Sequence, residues 1–224
     1  MSERENIFGR IREALRTTAH IPGTHGHASA QPKTSIARQW LPKVDDNFAE
    51  QLALFSRNAA ELKADFQTVD SVEKAREAIT HLAARENWQR AATHAGELTD
   101  AICPALKLNL LRTDRTYDAK DLEKCDAGIS ECDALIAQTG TVLVTNRSAG
   151  GRALSVLPPH HVVLARRNQL VPDLTAAIEL LKRKYGEKFP SMMSFITGPS
   201  RTGDIERILV LGAHGPKKLT IICV

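Results

Sequence analysis

Apolar residues at Phe48, Leu52, Phe55, Ala59, Leu62 and Phe66 recur in steps of four and three, which keeps them on one face of a helix. Beyond that stripe the pattern begins to alternate. It predicts a short strand near 66–69, then a capping box of Asp70 and Glu73 opening a helix through Ala75, Ile79 and Leu82. A strand near 90–94, a short helix near 98–103 and a strand through Leu106, Leu108 and Leu110 follow. The second half carries more β signal: runs at 133–138 and 141–145 split by Thr139-Gly140, and another at 161–165. A helix from Asp173 through Ala177, Leu180 and Leu181 separates these from strands at 192–197, 208–211 and 219–223. Strands interleaved with helices predict an α/β fold with a mostly parallel sheet covered by helices.

The start of the chain differs. Residues 2–19 read as a charged, weakly amphipathic helix with Ile7, Ile11 and Leu15 on one stripe and four arginines elsewhere. Residues 21–32 are dense in Pro, Gly and Ser and read as a linker, with His20, His25 and His27 in or beside it. The expected organisation is an N-terminal helix with a flexible linker over 1–43 and one α/β domain over 44–224.

Composition narrows the function classes. Aromatic residues are only 4% of the chain, which argues against a base-stacking RNA binder. Thirty basic against 26 acidic residues give +4, too even a balance for a nucleic-acid groove. The longest apolar stretch, 208–213, cannot span a bilayer, and the first residues lack a secretory h-region, so a cytoplasmic protein is expected. Cys103, Cys125, Cys132 and Cys223 form no Cys-x-x-Cys pair, so no metal or cluster site is expected on this chain, and the thiols read as small buried hydrophobes.

Three stretches concentrate small and polar residues at predicted strand ends, where open α/β sheets bind ligands. Thr139-Gly140-Thr141 offers backbone N–H groups and two hydroxyls, suited to a carboxylate or phosphate oxygen, although an ordinary glycine turn has the same spacing. Gly198-Pro-Ser-Arg-Thr-Gly-Asp-Ile-Glu206 adds donors from Ser200, Arg201 and Thr202, with Asp204 and Glu206 as candidate acid and base. Pro158-Pro-His-His161 supplies a histidine, His161, as a further candidate catalytic group; Arg147 and Arg152 just before it are placed to neutralise an anion. His214 follows another strand. The spacing of Gly198–Gly203 is not a P-loop.

Four motifs in this order, Asp133-Ala-Leu-Ile-Ala-Gln-Thr-Gly-Thr-Val, Leu157-Pro-Pro-His-His-Val-Val, Gly198-Pro-Ser-Arg-Thr-Gly-Asp-Ile-Glu and Gly212-Ala-His-Gly-Pro, resemble the LUD (lactate utilisation) domain family. The similarity runs from about Phe48 to Val224. It implies a NagB/RpiA/CoA-transferase-like α/β domain and a role in bacterial L-lactate oxidation to pyruvate. It also implies two iron–sulfur partner proteins, LutA-like and LutB-like, that carry the redox centres, with none on this chain. Gln138 stands where the family usually has Glu, which removes a possible carboxylate base, and Glu131 and Cys132 replace small residues. The expected function is a subunit of a lactate-oxidising system that holds a small anion in a cleft lined by Thr139, Gly140, Thr141, His161, Gly198, Ser200, Arg201 and Thr202. The alternatives are a stand-alone isomerase, cyclo-ligase or transferase on a small phosphorylated or carboxylated substrate, and a non-catalytic metabolite-binding or docking module.

Overall fold

The computed structural model describes residues 3–16, 44–203, 209–211 and 215–224. The chain divides into two compact units, Met1–Pro42 and Lys43–Val224. The first contains helix α1 (Glu3–Arg16), on which Ile7 and Phe8 are exposed. The linker predicted at 21–32 and its histidines lie outside the described residues.

The second unit opens with α2 (Phe48–Glu61), started by the Asn47 side chain accepting from the Ala49 N–H. The middle of its stripe is buried, with Phe55 and Ala59 fully enclosed and Leu52 half-buried, while Phe48 at its start is exposed; burying a Phe contributes roughly 1.5–3 kcal/mol. Strand β1 (Asp65–Thr68) and helix α3 (Val72–Arg85) follow. The cap of α3 is Ser71, one residue later than expected: its extended backbone lets Oγ accept from the Lys74 N–H at 3.2 Å. Next come β2 (Arg90–Thr93), α4 (Glu97–Ile102), β3 (Asn109–Arg112), α5 (Ala119–Glu123) and β4 (Ala127–Glu131). Strands β5 (Ala134–Ile136), β6 (Thr141–Thr145), β7 (His160–Ala165) and β8 (Leu170–Val171) lead to α6 (Leu174–Tyr185). Strands β9 (Met193–Ile196), β10 (Arg201–Gly203), β11 (Leu209–Leu211) and β12 (Lys218–Cys223) complete the described elements.

Six strands in the order β1-β12-β7-β4-β2-β3 form a wholly parallel sheet. Central β4 is a strand that the periodicity does not announce. A second, mixed sheet runs β8-β5-β6-β9, and β10 pairs with β11. One face of the parallel sheet (Ile129, Val162, Leu164, Ile222) packs on Ile79 and Leu82 of α3 and Leu98 and Ile102 of α4. The other face (Val163, Ala165, Leu219, Ile221) packs on Phe55 and Ala59 of α2 and on Leu135, Val142 and Val144 of the second sheet. Ala177 and Leu181 of α6 cover that sheet's outer face at Ala134, Ile136 and Leu143. The protein is therefore an α/β fold whose mostly parallel sheet is flanked by helices. Because β5 returns across the face that β4 left, the β5–β6 turn lies toward the N-terminal edge of the parallel sheet. The β4–β5 junction and the end of β6 lie at its C-terminal edge, tied there by the Glu131 N–H donating to the Ser148 carbonyl.

Candidate functional site

Two of the three predicted stretches meet. Thr141 Oγ1 lies 2.9 Å from Thr197 Oγ1, so the Thr139–Thr141 turn and the Gly198–Arg201 segment share one joint near the N-terminal edge. The last turn of α2 fills it. Gly140 sits at φ +61, and a Cβ there would lie 2.7 Å from the Ala59 backbone nitrogen. Asn58 Nδ2 donates to the Ala137 and Gln138 carbonyls at 2.9 and 3.0 Å. Gly198 backs onto the Leu62 carbonyl, which also accepts from the Arg201 guanidinium. The glycines are thus explained by close packing, and Arg201 serves the negative end of a helix. Ser200 holds the start of β12 through its N–H to the Pro216 carbonyl at 2.8 Å. Among the described residues the buried Thr139 hydroxyl at the joint has no hydrogen-bond partner.

His161 sits inside the core at 1% exposure, its Nε2 2.8 Å from Ser130 Oγ. Burial, with His160 adding a smaller push, draws its pKa down to about 3, so the ring stays neutral at physiological pH. Thr202 lies on β10, while Asp204, Glu206 and His214 lie outside the described residues.

The C-terminal edge carries the denser chemistry. Asp133, directly before β5, has a side chain with no exposure, yet it meets three donors: Lys184 Nζ at 2.6 Å, Tyr185 OH at 2.7 Å and Ser148 Oγ at 2.6 Å. Burial pushes its carboxyl up, but those bonds outweigh it and hold the group below the usual carboxylate range. Lys184 is lowered by its own burial and raised more strongly by Asp133, so both stay charged. The elements explain the convergence. Ser148 comes from the turn after β6, with Thr145 Oγ1 accepting its N–H at 3.3 Å, and Lys184 and Tyr185 close the last turn of α6. Above them the exposed Arg147 guanidinium lies 5.1 Å from the Tyr185 ring centroid, and exposed Arg152 donates to the Ser191 carbonyl at 3.1 Å. Among the described residues neither arginine meets a carboxylate.

Beside this cluster, Glu131 closes the β4 end. Its Oε1 accepts from the Leu98 and Thr99 N–H groups at 2.8 and 3.1 Å, which caps α4. His94 is likewise engaged at both nitrogens: Nδ1 lies 2.7 Å from the Ala95 carbonyl, and Nε2 accepts the Glu131 N–H at 3.3 Å. Those contacts hold the ring in place between the Ala95 carbonyl and the Glu131 N–H. Cys132 is fully enclosed, and burial raises its thiol well above the ordinary value, so it is no nucleophile. Among the described residues no group of three or more His, Cys, Asp or Glu side chains is placed to hold a metal. A cavity of about 620 Å³ lies apart from this chemistry, between β1 and α3, where Lys74 and Arg85 already meet Glu77 and Asp65 at 2.7 and 4.0 Å. Of the C-terminal-edge groups, sequence reasoning singled out Arg147 and Arg152. It missed Lys184, Ser148 and Tyr185 as partners of Asp133, which no local motif connects.

A wholly parallel six-stranded sheet with helices packed on its faces defines an α/β protein. The chain belongs to the LUD domain family, whose model matches residues 52–224. It is 37% identical over 113 residues to lactate utilization protein C 1 of Bacillus mycoides, covering 50% of this chain and 48% of that protein. It is 31% identical over 156 residues to lactate utilization protein C of Deinococcus radiodurans, covering 66% and 73%. The chain spans about half the length of the curated relatives it matches, the Deinococcus alignment excepted. The crystal structure of a duf162 family protein from Deinococcus radiodurans shares the fold, with a TM-score of 0.63 at 24% identity over 80% of this chain and 99% of that one.

Proposed function

We propose that the chain works in lactate utilisation, and that its part in oxidising L-lactate to pyruvate is to hold a small carboxylate at the C-terminal edge of the parallel sheet. The names of its relatives support the broader statement. The observation that carries the site is the Lys184–Asp133 pair with exposed Arg147 over the adjoining Tyr185 ring and Arg152 in the same turn, anchored on the Ser191 carbonyl. Among the described residues the two arginines have no carboxylate partner, and they offer the forked donors that match a carboxylate. The buried aspartate neutralises Lys184 and fixes its ammonium, while the Ser148 and Tyr185 hydroxyls complete the rim. In this reading the electrons taken from lactate pass to iron–sulfur clusters on LutA-like and LutB-like partner proteins, in the cytoplasm. Among the described residues no helix is long and apolar enough to cross a membrane.

Reconstitution tests the assignment. Lactate-dependent reduction of a dye by the purified iron–sulfur proteins is expected to require this chain, and to fall about tenfold or more with Arg147→Met plus Arg152→Met. A full rate without the chain, or with the double variant, contradicts it.

The Thr139 hydroxyl, without a partner among the described residues, supports a second reading, in which the anion sits at the Thr139–Thr141 and Gly198–Thr202 joint. Arg201→Met, rather than the Arg147 and Arg152 pair, then removes the activity.

A further inference from the structure

The free edge of the second sheet presents an apolar patch beside the proposed anion site. Strand β9 pairs with β6 and, among the described residues, with no other strand. Its register places Phe195 opposite Leu143 and Met193 opposite Thr145. These two side chains therefore stand on the face that α6 covers, but beyond the helix's reach, at 40% and 42% exposure. Phe189, on the segment leading into β9, is 41% exposed. Met193 and Phe195 stand on one face of this edge strand with Phe189 four residues before it, and exposed apolar groups close together mark an interaction surface more often than scattered single ones do.

Charge selects the kind of occupant. The last turn of α6 and the segment after it carry Lys182, Arg183, Lys184 and Lys188, and the facing turn adds Arg147 and Arg152. Of these six, only Lys184 has a carboxylate partner among the described residues. The turn is fastened to the patch: Asn146 N–H donates to the Met192 carbonyl at 3.1 Å, and Arg147 donates to the Lys188 carbonyl at 3.2 Å. A second copy docking edge to edge through β9 brings two such basic rims together, which like-charge repulsion opposes. A surface with apolar side chains ringed by carboxylates meets both features.

We propose that the Phe189–Met193–Phe195 patch and its basic rim form the docking surface for an acidic protein partner. Resting on the functional reading above, that partner is one of the iron–sulfur proteins that accept electrons from lactate. Docking there brings an electron acceptor beside the Asp133–Lys184 centre.

Calorimetric titration of the full chain with each purified iron–sulfur protein tests this. A saturable complex is expected that weakens between about 50 mM and about 300 mM NaCl. Phe195→Glu is expected to weaken it about tenfold or more. Arg183→Glu with Lys188→Glu is expected to weaken it and flatten the salt dependence. Both lie on exposed positions, and circular dichroism checks that each variant folds. No complex, a complex indifferent to these variants, or a patch-dependent dimer of this chain overturns the proposal. Titration of Phe195→Glu with a small carboxylate separates the two claims: retained carboxylate binding with lost docking locates the loss at the patch, whereas absent carboxylate binding in wild type bears on the functional reading alone.

Discussion

Asp133 shows how one buried charge organises a site. Its carboxylate has no solvent, so its stability depends on Lys184, Tyr185 and Ser148 together. Asp133→Asn is expected to lower the unfolding free energy by roughly 2–3 kcal/mol, read by urea denaturation; half-exposed Lys184 recovers some hydration, which limits the loss. An unchanged midpoint contradicts this. The buried histidines act in a different pH window. Burial draws His160 to about 4 and His161 to about 3. The unfolded chain takes up these protons from about pH 6.5 downward while the folded chain resists them. Stability is therefore complete above that value and falls as pH drops toward 4, by up to ~1.4 kcal/mol per pH unit for each histidine. His161→Leu leaves Ser130 its 3.1 Å bond to the Glu131 carbonyl and is expected to make the decline shallower. Asp133 acts lower still: its contribution is present above about pH 3.9 and is lost as pH falls through its lowered folded value.

The turn between β5 and β6 makes a prediction about an element. Gly140→Ala adds a Cβ against the α2 backbone at a left-handed φ and is expected to cost about 1–3 kcal/mol, measured by thermal and urea unfolding. A neutral outcome shows that α2 does not pack there as described. The same turn illustrates what sequence reveals. Its Thr-Gly-Thr spacing is legible, but a nest for an anion and a joint for a helix have the same spacing, and only the approach of Asn58 and Ala59 tells them apart. The apolar stripe of α2, the helix after Asp173 and the run at β7 were readable because long-range packing reinforces local periodicity. Strand β4 was not: Ala127-Gly-Ile-Ser-Glu131 has no apolar run or clean alternation, because the Leu154 carbonyl and the Pro158 ring press on Gly128 and leave no room for a larger side chain. The Asp133 cluster was illegible for a related reason. Its partners lie 15, 51 and 52 positions away and meet only because β6 and α6 both end at the same edge.

At the scale of the molecule, the parallel sheet separates two kinds of edge. The N-terminal edge is tied by packing and by Arg201 on a helix carbonyl, while the C-terminal edge carries Arg147 and Arg152, which meet no carboxylate among the described residues. A net charge of only +4 thus conceals a local concentration of positive groups around α6 and the turn after β6. The docking surface on β9 borders that concentration, so partner binding and carboxylate binding are expected to weaken together as salt rises. The most direct measurement is calorimetric titration of the chain with pyruvate, L-lactate and orthophosphate, repeated on Arg147→Met plus Arg152→Met and on Arg201→Met. The account predicts saturable binding of a small carboxylate, weakened about tenfold or more in the first variant and unchanged in the second. Binding that survives the loss of Arg147 and Arg152 but not the loss of Arg201 contradicts it.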